Sequence, residues 1–315
     1  MAVSVAGGGP AGAAAALAAL AHGAEVCVYE KSPFPRHKVC GEFLSPEAAG
    51  VLGELGVWEG FLAAGPAAMR RVTLRVGRAE KRWRLDPPAY GLSRYRMDQL
   101  LLENALARGA RLVRRKVEGA LPAPFVWAVG RTDAAPRGER LFGFKAHFVG
   151  PANDAVELYF FRGGYVGVNP VEGGVTNVCG LCDERLLPPD SVIERLPALR
   201  RRLEGMTQEF AWLHTGPLVF RHRFDESSYL AGDALSFVDP FTGTGMLSAL
   251  IGGQSAGRCA TLGRSPAEHL RYCRTRLGRA FAASTAFRKV LASGWAEALL
   301  PLAPAALLFH ATRPK

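Results

Sequence analysis

Two clusters of small residues, more than two hundred positions apart, are where this chain could close its backbone on a phosphorylated ligand. The first is Gly7-Gly8-Gly9-Pro10-Ala11-Gly12, directly after the run Val3-Ser4-Val5-Ala6. A short β-branched run ending in glycine reads as a buried strand. Gly7 permits the tight turn, Gly9 lets backbone approach a pyrophosphate, and Gly12 lets the next helix pack close to the strand. Pro10 suits a first helical turn, where its missing N–H costs nothing. Ala11 and the alanine-rich residues 13–21 favour a helix whose free N–H groups face the phosphates. Glu30 ends Val26-Cys27-Val28-Tyr29, eighteen residues after Gly12, with Lys31 beside it. A carboxylate at about that spacing receives ribose hydroxyls and disfavours a 2′-phosphate.

The second cluster is Tyr229-Leu230-Ala231-Gly232-Asp233, followed by Asp239-Pro240-Phe241-Thr242-Gly243-Thr244-Gly245-Met246. Asp233, at the mouth of a predicted strand, can accept hydrogen bonds from ribityl hydroxyls. Pro240, Gly243, Thr244 and Gly245 form a loop suited to close backbone approach. Met246 opens a predicted helix whose N-terminus carries partial positive charge. At the pyrimidine edge of an isoalloxazine that charge stabilises anionic reduced flavin. Each cluster alone has a bland reading, a glycine-rich start in an alanine-rich chain or a surface loop before a helix. Both in this order predict FAD and disfavour an NAD-dependent dehydrogenase, which has no use for the second.

On these residues the chain resembles the FAD-dependent oxidoreductases that include geranylgeranyl reductases, aromatic hydroxylases and flavin halogenases. Gly7–Gly12 with Glu30, Lys38-Val39-Cys40-Gly41-Glu42-Phe43-Leu44-Ser45, Ser93-Arg94-Tyr95-Arg96-Met97-Asp98, and Gly232-Asp233 through Met246 carry the resemblance. Cys40-Gly41-Glu42 resembles a segment of the geranylgeranyl-reductase-like branch. The resemblance implies that Arg36 and Lys38 lie beside the phosphates or at the entrance, that Cys40 and Gly41 lie near the isoalloxazine, and that Arg94 contacts the nucleotide with Asp98 opening the helix behind it. Val126-Trp127-Ala128-Val129-Gly130-Arg131 lacks the Asp-Gly usual in hydroxylases, which puts typical NADPH handling in doubt. The tryptophan-halogenase signature Trp-x-Trp-x-Ile-Pro is absent, which argues against halogenation.

The expected fold class is α/β. A discontinuous Rossmann-like FAD-binding domain takes residues 1–68, 93–140 and 224–275, an antiparallel β-sheet substrate domain takes 69–92 and 141–223, and residues 276–315 form a helical C-terminus. Gly163-Gly164 and Gly173-Gly174 mark hairpin turns. The run Leu299-Leu300-Pro301-Leu302-Ala303-Pro304-Ala305-Ala306-Leu307-Leu308-Phe309 is too short and too broken by proline to span a bilayer. It either packs against the body or lies at a membrane interface, with Arg313 and Lys315 at its end.

A formal charge of +11 fits attraction to NAD(P)H, an acidic carrier protein or an anionic membrane, or else an evenly arginine-rich chain. No zinc, helix-turn-helix or RNA-binding motif accompanies it, so nucleic acid is not expected. Without a secretory signal, the six cysteines are expected to be reduced thiols in a cytoplasmic protein, membrane association remaining the alternative. Cys179 and Cys182 fall on opposite faces of one predicted strand, against a metal or redox pair. Cys40, next to Arg36, His37 and Lys38, is the candidate catalytic thiol, since cations lower a thiol pKa. His147 and His222 are candidate proton donors, with ordinary structural histidines as the alternative. No metal site is expected. The functional expectation is an FAD-dependent oxidoreductase reduced by NAD(P)H or a partner reductase. It acts on a hydrophobic isoprenoid, polyketide or aromatic substrate, by hydride transfer to C=C or by monooxygenation. The alternative is a flavin-binding protein without turnover.

Overall fold

The computed structural model describes residues 1–315 except 120, 132–140, 187, 219, 224, 238–239, 305–310, 312 and 315. Asp239, Lys315 and residues 305–309 of the C-terminal apolar run therefore lie outside the described residues. The chain begins β1 (Ala2–Ala6), α1 (Pro10–Ala21), β2 (Glu25–Tyr29), β3 (Phe43–Leu44), α2 (Ala48–Glu54) and α3 (Trp58–Ala63). It continues β4 (Ala67–Val76), β5 (Ala79–Gly91), α4 (Arg94–Ala107), β6 (Arg111–Val113) and β7 (Phe125–Trp127). Next come β8 (Leu141–Val149), β9 (Ala155–Phe161), β10 (Gly164–Pro170), β11 (Val175–Asp183), α5 (Pro189–Arg195) and α6 (Pro197–Leu203). The last elements are β12 (Thr207–Gln208), β13 (Leu213–Leu218), β14 (Arg221–His222), β15 (Tyr229–Leu230), β16 (Ser236–Phe237), α7 (Gly245–Thr261), α8 (Pro266–Ala292) and α9 (Ala296–Leu299).

One sheet has the order β15-β7-β1-β2-β6, every pairing parallel. Parallel strands need crossovers, and α1 is the shortest of them. Its alanines from 13 to 19 are buried with Leu17, so the helix is covered on all sides. The thin side chains matter most against α7. A β-carbon on Gly253 would lie 2.1 Å from Ala11 O, and one on Gly257 would lie 2.0 Å from Ala15 O. The constant offset between those pairs shows that α1 and α7 run parallel with backbones in contact. Level with Ala11, Gly253 is already two turns into α7, which starts at Gly245, whereas α1 starts at Pro10. The N-terminus of α7 therefore extends about 10 Å further along the shared axis.

The second sheet runs β12-β8-β11-β10-β9-β4-β5-β3, with β13 also on β8. It is mixed rather than wholly antiparallel, because β4 pairs with β9 in parallel. That junction joins two separate visits of the chain, β4–β5 before α4 and the β8–β11 meander after it. Strand alternation divides the meander. Phe144, Ala146, Val166, Val168, Val178 and Cys182 pack with residues of α5 and α6. Lys145, His147, Asn177 and Cys179 occupy the opposite face in register with one another. Cys179 and Cys182 therefore point to opposite sides, and all six cysteines are free thiols.

Gly257→Val tests the α1–α7 contact. Its β-carbon has only rigid backbone to meet, so overpacking should cost about 2 kcal/mol or more in chemical denaturation. A cost near zero would show that the helices are not held at this distance.

Candidate functional site

The first turn has the geometry a pyrophosphate needs. Gly7 has φ +101° and its β-carbon would meet Ala128 O at 2.3 Å, while one on Gly12 would meet Gly7 O at 1.8 Å. Gly9 is open: the nearest atom to its missing β-carbon is a guanidinium nitrogen of Arg94, 3.8 Å away. Arg94 is fixed by Asp98, which accepts from Nε at 2.5 Å and from a terminal nitrogen at 2.7 Å. Burial acts to lower the Arg94 pKa, and Asp98 more than reverses this, so its charge is secure. The helix starts at Arg94, earlier than expected, because the Ser93 hydroxyl caps it by accepting from Arg96 N at 3.2 Å. Asp98 consequently lies inside α4 and orients Arg94 rather than opening the helix.

Glu30 is 5% exposed and accepts from Gly8 N at 2.9 Å, Ser32 N at 2.8 Å and Arg36 at 3.2 Å. Burial would raise its pKa, but these donors hold it below the usual carboxylate range. It is thus an ionised acceptor at the level of the turn. Lys31 is exposed beside it, while Arg36 makes the ion pair with Glu30. The surrounding protein, with Arg94 and Arg36, lowers the pKa of Lys38, which places that lysine in the same cationic neighbourhood.

The second turn leans on the first. Gly232 has φ +61°, and a β-carbon there would lie 2.9 Å from Ala11 Cβ. Asp233 follows on the surface of the cleft, where the surrounding protein raises its carboxyl pKa against the pull of Arg131, Arg94 and Lys38. Gly243 has φ +66° and would place a β-carbon 2.7 Å from the Phe43 ring, so this loop packs on the Cys-Gly-Glu segment. Thr244 is buried, its Oγ1 3.0 Å from Thr242 Oγ1, and the exposed Gly245 opens α7 directly after it. The side chain of Met246 is buried in the core, so it can offer a ligand only backbone. Pro240 and Gly243 line a cavity together with Gly41.

Glu42, the last residue of the Cys-Gly-Glu segment, is completely buried and is the one described residue other than glycine with positive φ, 52°. Its Oε1 accepts from Arg94 N at 2.6 Å and from Lys145 Nζ, and His147 Nε2 donates to Oε2 at 2.7 Å. Burial would raise its pKa, and His147 and Lys145 pull it below the usual range. The side-chain amide of Asn177 donates to the carbonyls of Cys40, at 3.2 Å, and Gly41, at 3.0 Å. The half-buried Cys40 thiol accepts from Glu42 N at 3.4 Å. His37 joins this cluster, its ligand atoms and those of Glu42 and His147 lying within 4.8 Å of one another. Lys145 on the same carboxylate opposes a further cation, so the arrangement reads as an ion cluster.

The cavity measures about 180 Å³, and its walls are mainly aliphatic and aromatic, including Phe43, Trp83, Leu158, Phe160 and Phe241. Asn169, Cys179, Thr242 and Arg313 supply polar atoms. Arg313 lies over the Phe43 ring at 5.4 Å, donates to Gly243 O at 3.5 Å, and is pushed down to about 10 by burial, against the pull of Glu47. His147 belongs to the Glu42 cluster and lies outside this cavity. His222 is further off, in the two-stranded β14–β16 sheet, stacked on Phe281 at 5.1 Å. Glu42, Lys145, Asn177 and Arg313 take part although the sequence does not single them out as site residues. A lone lysine within the apolar strand Phe142–Phe148 was the available signal for Lys145; Arg313 had none.

Residues 1–121 match the family model for an FAD binding domain. A menaquinone reductase of Mycobacterium tuberculosis (strain CDC 1551 / Oshkosh) is 36% identical over 118 residues, 35% of this chain and 28% of that protein. The chain thus spans under a third of the length of that curated relative. A flavoprotein/dehydrogenase from Cytophaga hutchinsonii superposes with a TM-score of 0.82 at 17% identity, covering 99% of this chain and 91% of the other. The flavin-dependent brominase Bmp2 superposes at 0.76 with 18% identity, covering 92% and 86%. The chain therefore shares its overall fold with these two flavoproteins, and its first 121 residues match an FAD binding domain.

Glu42→Gln should lower unfolding stability by about 3–5 kcal/mol, because Lys145 is left buried without its countercharge. The pair Glu42→Gln with Lys145→Met should recover much of that loss. Because the folded-state pKa of Glu42 is depressed, its contribution is complete above the unfolded-state pKa and is lost as pH falls toward the folded value. Acid titration of stability should therefore be shallower for the double variant than for the parent. Equal stability of all three proteins would remove the ion cluster from the account.

Proposed function

We propose that the chain is an FAD-dependent oxidoreductase acting on an apolar organic substrate, with reduction of a C=C bond favoured over monooxygenation. The observation that carries this reading is the apolar cavity walled by both Gly41 of the Cys-Gly-Glu segment and Gly243 of the second glycine cluster. The residues present fit the cofactor: Gly9 leaves a cradle that a side chain would fill, and the N-termini of α1 and α7 lie about 10 Å apart along one direction. Bound FAD supplies the capacity to accept and deliver a hydride. Around it, Gly9 and Arg94 would hold the pyrophosphate, Glu30 the adenosine ribose and Asp233 the ribityl chain. Gly243, Thr244 and Gly245 at the start of α7 would face the pyrimidine edge, where the helix dipole favours negative charge.

Cys40 and Gly41 would lie against the ring, fixed from behind by Asn177 and Glu42. The aliphatic and aromatic walls orient the substrate and exclude water from the reacting face. Cys-Gly-Glu favours the reductase branch, and the matched relative is named a menaquinone reductase. Electrons would come from NAD(P)H or from a partner reductase.

The purified chain should show a flavin absorption spectrum that bleaches anaerobically with NADPH or NADH. Reoxidation by air without product oxygenation would support the reductase. A spectrum that persists with either nucleotide, but bleaches with dithionite, would point to a partner donor or to a protein without turnover. No flavin after incubation with FAD would overturn the proposal. Asp233→Ala should weaken FAD binding by about 2 kcal/mol, roughly thirtyfold in Kd by fluorescence titration, if its carboxylate receives hydroxyls.

A further inference from the structure

The cavity has an apolar rim. Among the described residues, four of the nine exposed large apolar side chains fall between positions 290 and 302: Val290, Trp295, Leu299 and Leu302. Leu302 is 79% exposed and Trp295 69%, while Val290 and Leu299 also line the cavity. The exposed patch is therefore the outer edge of the chamber. An exposed apolar patch of this kind marks a contact surface.

Charge indicates what the surface contacts. The β4–β5 hairpin is pinned to this edge: Glu297 accepts from Arg78 N at 2.8 Å, and Lys81 Nζ donates to Pro301 O at 3.1 Å. Arg78 is exposed on it, and Arg288 and Lys289 are exposed at the end of α8. The neighbouring acids are already engaged, Glu80 by Arg75 and Arg82 and Glu297 by the hairpin backbone. A tryptophan and leucines flanked by lysine and arginine match the boundary between headgroups and acyl chains. No described helix is long and apolar enough to cross a membrane, which leaves contact in the plane of the surface.

We propose that this edge docks on an anionic lipid bilayer, with Trp295 and Leu302 inserted below the headgroups and Arg78 and Lys289 among them. The docked chamber opens toward the acyl region, so a lipid-dissolved substrate enters without crossing water. That delivery role rests on the cavity being the substrate chamber; the docking itself does not.

The test is sedimentation of the FAD-loaded full chain with vesicles of phosphatidylcholine alone or with about one third phosphatidylglycerol. The parent should pellet with the anionic vesicles at low ionic strength and be released progressively by salt. Trp295→Ser with Leu302→Ser should reduce partitioning about tenfold or more, with flavin spectrum and thermal unfolding unchanged. Lys289→Glu with Arg78→Glu should abolish the preference for anionic vesicles. Parent and Trp295→Ser/Leu302→Ser proteins that pellet equally would overturn the proposal, as would a parent that stays in the supernatant. Flavin absorbance in each fraction keeps the two readings apart. Vesicle-bound chain that cannot retain flavin removes the oxidoreductase and keeps the docking surface, and flavin-loaded chain that never pellets does the reverse.

Discussion

A buried carboxylate, Glu42, ties the second sheet of this protein to α4, the helix that carries Arg94. It belongs to the loop between β2 and β3, it receives the first backbone N–H of α4, and it meets Lys145 and His147 on β8. No other residue type would serve equally at that point. A neutral side chain would leave Lys145 charged in a water-free interior, and a shorter acid would lose one of its partners. Positive φ at Glu42 shows that the backbone accepts an unfavourable conformation to bring the carboxylate there. Cys40 and Gly41 inherit their position from it, with Asn177 gripping their carbonyls from the adjacent strand.

The other half of the site depends on thinness. α1 and α7 touch through Ala11, Ala15, Gly253 and Gly257, and Gly232 rests on Ala11. Because backbone rather than side chain sets their separation, the two glycine turns are held in fixed relation although the chain between them builds a whole second sheet. Rigid helix axes then fix how far apart the free N–H groups at the two helix N-termini can be. Arg94 completes the first of these ends, its charge kept by Asp98 one turn along the same helix.

Local pattern made much of this legible. The strand-turn-helix of residues 3–21, the Glu30 position and the hairpin glycines follow from periods and turn chemistry that act within a few residues. The parallel β4–β9 junction did not, since register between distant segments is decided by what covers each face. Nor did the role of Lys145: an isolated cation in an apolar strand announces a partner without naming it, and Glu42 lies 103 positions away. Cys179 and Cys182 illustrate the opposite case, where simple alternation sufficed to separate them. Arg313 became visible only through the Phe43 ring beneath it.

The division of faces in the β8–β11 meander carries an evolutionary consequence. Inserting or deleting one residue in β8 or β11 would exchange the layer under α5 and α6 with the layer bearing Lys145 and Asn177. Drift in these strands is thus confined to swaps that keep parity. The chamber's outer wall lies outside these strands, being drawn from Phe287, Val290 and Leu291 at the end of α8, from α9, and from Leu300, Ala303 and Arg313. Substitutions on that wall can reshape the cavity without touching the parity that the strands must keep.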